Sequence, residues 1–304
     1  MAWQRTILRT ASANGVGIHG GEQVALRLRP APPGTGVVFV RTDLGIAIPA
    51  RAENARDLAY ATTLRLRGAE ARSVEHLMAA VSGTGVTNLF IDLSGAEVPI
   101  LDGSALPFVE MLHRAGLEDQ KVSQPELRVR RVVRVGDDER WIELRPGDEL
   151  EVDYRVSYDS PAVGRQGFAG TITPQRFAAA IAPARTFGFL EEVPVLRERG
   201  LGLGGSLENC IVVDQGRVLS GELRFPDEFV RHKVLDLIGD LALLEYPLLS
   251  HVVAHKAGHA LHVVAVNELL ATPEAWELVE PDRLAPLSVR PYPGEVESET
   301  ALAG

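Results

Sequence analysis

Three ionisable side chains, His232, Asp236 and Asp240, recur at every fourth position of FPDEFVRHKVLDLIGDLALL (residues 225–244), with Lys233 beside the first. If the segment is helical, at about 100° per residue, the four fall within an arc of about 100°. Around them Phe229, Val230, Val234, Leu235, Leu237, Ile238, Leu241, Ala242 and Leu243 leave little of such a helix to face water. Pro226 suits a first helical position, and Asp227 and Glu228 suit the positive end of the helix dipole. Buried charges persist when they are paired or bound to a metal. A structural ion-pair stripe is one reading. A His and an Asp one turn apart, aimed the same way, favour the other, two ligands of one metal.

A catalytic metal site needs a third protein ligand and an open position. His76, in SVEHLMAA (73–80), is the best candidate, near the start of an amphipathic segment with Glu75 adjacent. Neighbours on a helix point about 100° apart, so one could bind metal while the other reaches a water from the side. Taken alone, His76 also reads as a hydrogen-bonded histidine at a helix start. The run HVVAHKAGHALH (251–262) offers a rival multi-ligand site, but a single catalytic histidine, His259, delivered by the turn at Gly258, is the more economical use. That leaves His251, His255 and His262 as surface or core residues. GLGLGGS (200–206) lacks the Gly-Lys-Ser/Thr ending of a phosphate loop and opens no helix, so close backbone packing or the lining of a narrow channel suits it better. ARTFGF (184–189) sets Thr186 beside Phe187 and by itself says nothing specific.

The elements that must position these residues are mixed. Strand signals fill the first third at VALRLRP (24–30), GVVFVRT (36–42) and NLFIDLSG (88–95). One helix is expected from an N-cap at Ser73 to a stop at Gly83, and another between Ser104 and Gly116. The polar run EDQKVSQPE (118–126) has no hydrophobic period and takes the domain boundary. The second half repeats the plan. Strands are expected at 127–135, 140–144 and 150–158, then a helix opened by Thr173 and Pro174, a strand at 210–214, the striped helix, a strand at 251–256 and a last helix over 258–272. The fold class is α+β. Residues 1–121 make a first domain carrying Glu75 and His76, 122–126 a linker, and 127–272 a second domain carrying His232, Asp236 and His259. Residues 273–304, rich in Pro and Glu, read as a tail of loop or disorder.

At 304 residues, two domains are the default. The net charge of −10, from 31 Lys+Arg against 41 Asp+Glu, argues against a nucleic-acid or anionic-membrane partner. The single cysteine, Cys210, excludes an internal disulfide framework and fits a reducing compartment. MAWQRTILRT lacks the apolar core of a secretory signal, and no stretch of 18 uninterrupted apolar residues occurs. The expectation is a cytoplasmic monomer acting on a small molecule.

Together, GVGIHGG (15–21), SVEHLMAA, LDGSALPFVE (101–110), ARTFGF, LGLGGSLENCIVVD (201–214), LRFPDEFVRHKVLDLIGDL (223–241) and AHKAGHALH (254–262) resemble the zinc-dependent UDP-3-O-acyl-N-acetylglucosamine deacetylases of lipid A biosynthesis. The resemblance implies two similar α+β domains whose helices are sandwiched between two outer sheets, with the site at their junction. It implies His76, His232 and Asp236 as zinc ligands, with iron(II) an alternative metal for the same donors. It makes Glu75 the general base on the attacking water and His259 the acid for the leaving amine. Asp240 would orient His259, Thr186 would face the developing oxyanion, and Lys233 would hold substrate oxygens. His19 and Phe187 match positions that touch the sugar. Leu201, Leu203 and Gly204 fall in an insert, residues 189–211, that implies an apolar passage for the acyl chain. Two positions depart from the pattern. Arg145, in Glu143-Leu144-Arg145-Pro146, stands where Lys is common at a site that could meet the diphosphate, and Ala257 replaces a frequent Ser, weakening the last helix's cap. The alternative function is a catalytically silent UDP-sugar or acyl-chain binding protein on the same fold.

Overall fold

The computed structural model describes residues 3–280. The architecture is α+β, with six α-helices among the described residues: α1 (Glu75–Thr84), α2 (Leu106–Ala115), α3 (Pro174–Arg176), α4 (Val193–Glu198), α5 (Glu228–Leu241) and α6 (His259–Ala271). None is long and apolar enough to cross a membrane.

A five-stranded sheet runs in the order Ala11–Val16, Gln23–Pro30, Leu89–Leu93, Val37–Arg41, Ile46–Pro49, antiparallel except between the third and fourth strands. Alternation explains its faces. Val24, Leu26 and Leu28 point inward and are buried, while Arg27 and Arg29 point outward onto Asp92 of the neighbouring strand. A seven-stranded sheet is built from residues 126–279 around strand Leu248–His255. That strand pairs antiparallel with Trp141–Pro146 and parallel with both Leu150–Ser157 and Glu126–Val129.

Between the sheets, α1 packs on α5 and α2, and α5 packs on α6 and on strands Leu150–Ser157 and Arg165–Thr171. One continuous core runs from Leu26, Phe39 and Ile91 on one sheet, through Leu77, Met78, Val234 and Ile238 on the helices, to Ile142, Leu144 and Val152 on the other. A smaller cluster, Val163, Ile211, Val213 and Phe229, underlies Phe187 and Phe189. The closeness of α1 and α5 depends on Gly239, where a Cβ would stand 2.1 Å from the Glu75 carbonyl oxygen. Glycine inside a helix costs about 1 kcal/mol relative to alanine. Here it sets the helix separation on which the site depends.

Several expected boundaries move. Gly83 does not stop α1; it lies inside the helix because a Cβ there would meet the Phe177 ring at 2.2 Å. The stop is Gly85, at φ 78°, with the Val86 N–H turned back to the Val81 carbonyl. Ser73 is not the cap; its hydroxyl goes to Glu97 instead. Pro226 lies outside α5, which begins at Glu228. The strand expected at 127–135 is two, Glu126–Val129 and Val133–Gly136, because each half pairs with a different neighbour. The polar run assigned to a boundary forms strand Leu117–Ser123 against Trp3–Ile7, an edge strand polar because both its faces meet water. Residues 273–279, read as the start of a loose tail, form a 3-10 turn and strand Trp276–Val279 paired with Glu126–Val129. The rest of that tail, 281–304, lies outside the described residues.

Candidate active site

α5 carries the stripe as its spacing requires. His232, Asp236 and Asp240 are all buried, at 2%, 2% and 0% exposure. The first turn of α1 brings Glu75 and His76, also buried, against that stripe. The His76 and His232 rings meet edge to face with centroids 4.9 Å apart. Asp236 Oδ1 lies 3.2 Å from His232 Nε2 and 3.6 Å from His76 Nε2.

The protons in this cluster can be assigned from its neighbours. His232 Nδ1 stands 3.1 Å from the Ala184 carbonyl and donates to it, which leaves Nε2 bare. Burial holds the His232 pKa down to about 3, so the ring is neutral. Asp236 is driven up by burial but held well below the usual carboxylate range, with His232 neutral, by the Lys233 ammonium on its Oδ2, so it is ionised. A bare imidazole nitrogen therefore faces a carboxylate oxygen, and Asp236 Oδ1 has no hydrogen-bond donor among the described residues. Two lone pairs in that relation repel unless a cation lies between them. With His76 Nε2, the donor atoms lie within 4.8 Å of one another. Two imidazole nitrogens and a carboxylate oxygen fit a divalent transition metal.

A second group adjoins the first. His259 Nδ1 lies 2.8 Å from Asp240 Oδ2, while its Nε2 faces Glu75 Oε1 at 3.9 Å and Asp236 Oδ2 at 3.8 Å. Burial alone would lower the His259 pKa; Asp240 overrides it and lifts the ring to about 9. Asp240, raised by burial, is lowered by His259 and His262 and stays charged. Burial raises the Glu75 pKa against the pull of His259 and His76, making its carboxylate a stronger base than an exposed glutamate. Both pKa values are thus raised, which makes the carboxylate more basic and keeps the neighbouring imidazole charged.

The remaining expected residues divide. Lys233 Nζ donates to Asp236 Oδ2 at 2.8 Å and lies 5.5 Å from the Phe187 ring centre. Phe187 itself stands edge-on to His232 at 6.2 Å. Thr186 is fixed beside it by its backbone N–H to Gly103 and its carbonyl to Ile211. His19 is joined to the glycine-rich loop, its carbonyl accepting from the Leu203 N–H, while the Gly204 N–H donates to Ile18. Gly204 serves backbone approach, since a Cβ there would stand 2.2 Å from the Gly17 carbonyl oxygen. Leu201 is half-buried and Leu203 largely exposed. Arg145 is not brought to the cluster: it lies on strand Trp141–Pro146 with its guanidinium on Glu143.

Thr62, Glu97 and His262 were not expected at the site. Thr62 is fully buried; its N–H donates to Glu75 Oε2 at 2.9 Å and its hydroxyl to Asp240 Oδ1 at 2.5 Å. Nothing in local spacing marks it, because its Asp240 partner is 178 residues away. Glu97 holds the loop that carries His19, accepting from the His19 and Gly20 N–H groups. His262 is no filler residue; its Nδ1 lies 2.8 Å from Asp240 Oδ2. Its signal was legible, since His259 and His262 share one face of α6 at i, i+3. The N-cap of α6 is Gly258, which has no side chain to give a cap, so the missing cap there is set by Gly258 and not by Ala257 one position earlier.

Fold and site together define an α+β protein with a buried two-histidine, one-carboxylate cluster flanked by a carboxylate and a charged imidazole, an arrangement suited to metal-assisted hydrolysis. Residues 4–271 match the family described as LpxC: UDP-3-O-acyl N-acetylglycosamine deacetylase. Among similar proteins, the UDP-3-O-acyl-N-acetylglucosamine deacetylase of Myxococcus xanthus is 46% identical over 279 residues, covering 91% of this chain and 89% of its own. Those of Haemophilus influenzae and Oleidesulfovibrio alaskensis are 42% and 47% identical, covering 92% and 85% of this chain and 93% and 86% of their own. The chain belongs to the UDP-3-O-acyl N-acetylglycosamine deacetylase family.

Proposed function

We propose that this deacetylase hydrolyses the N-acetyl group of UDP-3-O-acyl-N-acetylglucosamine, releasing acetate, as a step of lipid A biosynthesis in the cytoplasm, with His76, His232 and Asp236 holding one zinc ion. The observation that carries the reading is the bare His232 Nε2 facing the donorless Asp236 Oδ1 at 3.2 Å, beside a base and an acid. Zinc, or iron(II) in its place, would supply a Lewis acid that activates water and polarises the amide carbonyl.

The chain's own residues supply the proton transfers. Glu75, held by the Thr62 N–H and made more basic by burial, takes the proton of the attacking water. His259, charged up to about pH 9, gives a proton from Nε2 to the departing amine, which would otherwise be a poor leaving group. Asp240 receives Nδ1–H of the same ring and keeps Nε2 turned toward Glu75. Thr186 and Lys233 face the developing negative oxygen, Lys233 from its place against Asp236. His19 and Phe187 contact the sugar, and the insert with Leu201, Leu203 and Gly204 borders the acyl chain. Arg145, its guanidinium on Glu143 of strand Trp141–Pro146, would be the contact for the diphosphate. No comparison supports a catalytically silent binding protein. Acetate release from the acylated UDP-sugar tests the reading. Glu75→Gln should retain the metal and lose turnover, and normal turnover in that variant would refute the base assignment.

A further inference from the structure

Asp240 is fully buried and its two carboxylate oxygens serve three side chains. Oδ1 takes the Thr62 hydroxyl at 2.5 Å. Oδ2 takes both His259 Nδ1 and His262 Nδ1, each at 2.8 Å. Behind His262, the hydroxyl of Tyr154, the largest fully buried side chain on the facing sheet, lies 3.0 Å from Nε2 and 2.7 Å from the Ala257 carbonyl. Tyr154 thereby joins strand Leu150–Ser157 to the turn that delivers His259.

The proton count fixes the direction of the chain. His262 is completely enclosed, and burial lowers its pKa. A neutral ring carries one N–H. If that proton sat on Nε2, the bare Nδ1 would oppose the ionised Asp240 oxygen at 2.8 Å, two lone pairs face to face. The proton therefore sits on Nδ1, and Nε2 and the Ala257 carbonyl, at 3.0 and 2.7 Å from the Tyr154 oxygen, share its single hydroxyl proton. His259 has a competing partner, because its Nδ1 also lies 3.3 Å from the Thr62 hydroxyl oxygen. Were the second site on Oδ2 unfilled, the carboxylate could rotate toward Thr62 and let His259 follow it. We propose that His262, braced by Tyr154, is a positioning residue that pins the Asp240 carboxylate so that His259 keeps one orientation toward the reacting amine. The role rests on the deacetylase reading of the site. It is distinct from it, because His262 touches none of the three metal donors or Glu75 in any bond the structure shows.

The test compares the metal-loaded wild type with His262→Leu, His262→Asn and Tyr154→Phe, measuring kcat, KM, metal content and thermal midpoint. His262→Leu should lose roughly tenfold or more in kcat, with KM and metal content unchanged. His262→Asn, whose amide N–H stands near the position of Nδ1, should recover most of that loss; Tyr154→Phe should show a smaller fall in kcat alone. The Asn and Phe variants decide the matter if the Leu variant does not fold. Wild-type kcat in His262→Leu, an Asn variant no better than Leu, or a loss confined to KM would each overturn the proposal. Ring nitrogen NMR of the wild type gives an answer that needs no turnover. A proton on His262 Nδ1 supports the role, and a proton on Nε2 overturns it. A wild type that releases no acetate would refute the deacetylase reading and leave the NMR result to decide the positioning role.

Discussion

Asp240→Asn keeps the size of the side chain and a hydrogen-bonding tip, but removes the charge facing His259 at 2.8 Å. His259 is enclosed, so burial by itself would hold its pKa below 6.5; Asp240, helped by Asp236 and Glu75, carries it to about 9. At 1.36 kcal/mol per pH unit, the span between those values is roughly 3 kcal/mol of preference for the charged ring. The share due to Asp240 must also offset burial. The sign follows from the chemistry. His259 acts as an acid, so turnover persists below its pKa and is lost as the pH rises through about 9. In Asp240→Asn the alkaline limb should move down by roughly two pH units, so the variant is impaired at neutral pH and recovers partly as the solution is made more acidic. Initial rates of acetate release across the neutral and alkaline range would show it. An alkaline limb that stays where it was, with kcat intact, would refute the claim that Asp240 sets the charge of His259.

Other consequences concern stability. Gly239→Ala places a Cβ 2.1 Å from the Glu75 carbonyl oxygen, and the forced separation of α1 and α5 should destabilise the chain by about 1–3 kcal/mol despite alanine's better helix propensity, read by urea denaturation. Arg185→Met strips the guanidinium from Glu228, which is 0% exposed, and a buried carboxylate left short of partners should cost about 3 kcal/mol in the same assay. Thr62→Val keeps the N–H that holds Glu75 but leaves Asp240 Oδ1 without its donor; a loss of about 1–3 kcal/mol in stability is expected together with a fall in kcat.

The striped helix was legible in the sequence because an apolar rod with charges at every fourth position has few physical explanations, and α5 is buried on nearly all sides. The meeting of His76 with that stripe was not, since it depends on a helix separation set by Gly239, whose role no periodicity reveals. It came from motifs taken together. Thr62 was hidden for a similar reason: it looks like an ordinary strand threonine, and its partners lie 13 and 178 residues away. Gly83 and Gly85 show the limit of glycine as punctuation. Both interrupt the pattern, but one makes room for Phe177 and only the other adopts a positive φ. Strand Leu117–Ser123 reads as a boundary because an edge strand needs no buried face and can be polar throughout, and the four residues Trp276–Val279 are too short a run to stand out from the Pro- and Glu-rich stretch that follows them.

The most direct test is the metal content of the purified chain beside its turnover, in the wild type and in Asp236→Ala. The wild type should hold one divalent transition metal per chain and release acetate, and the variant should lose both. Metal retained by Asp236→Ala, or acetate release that survives complete chelation of the wild type, would contradict the placement of the cation between α1 and α5.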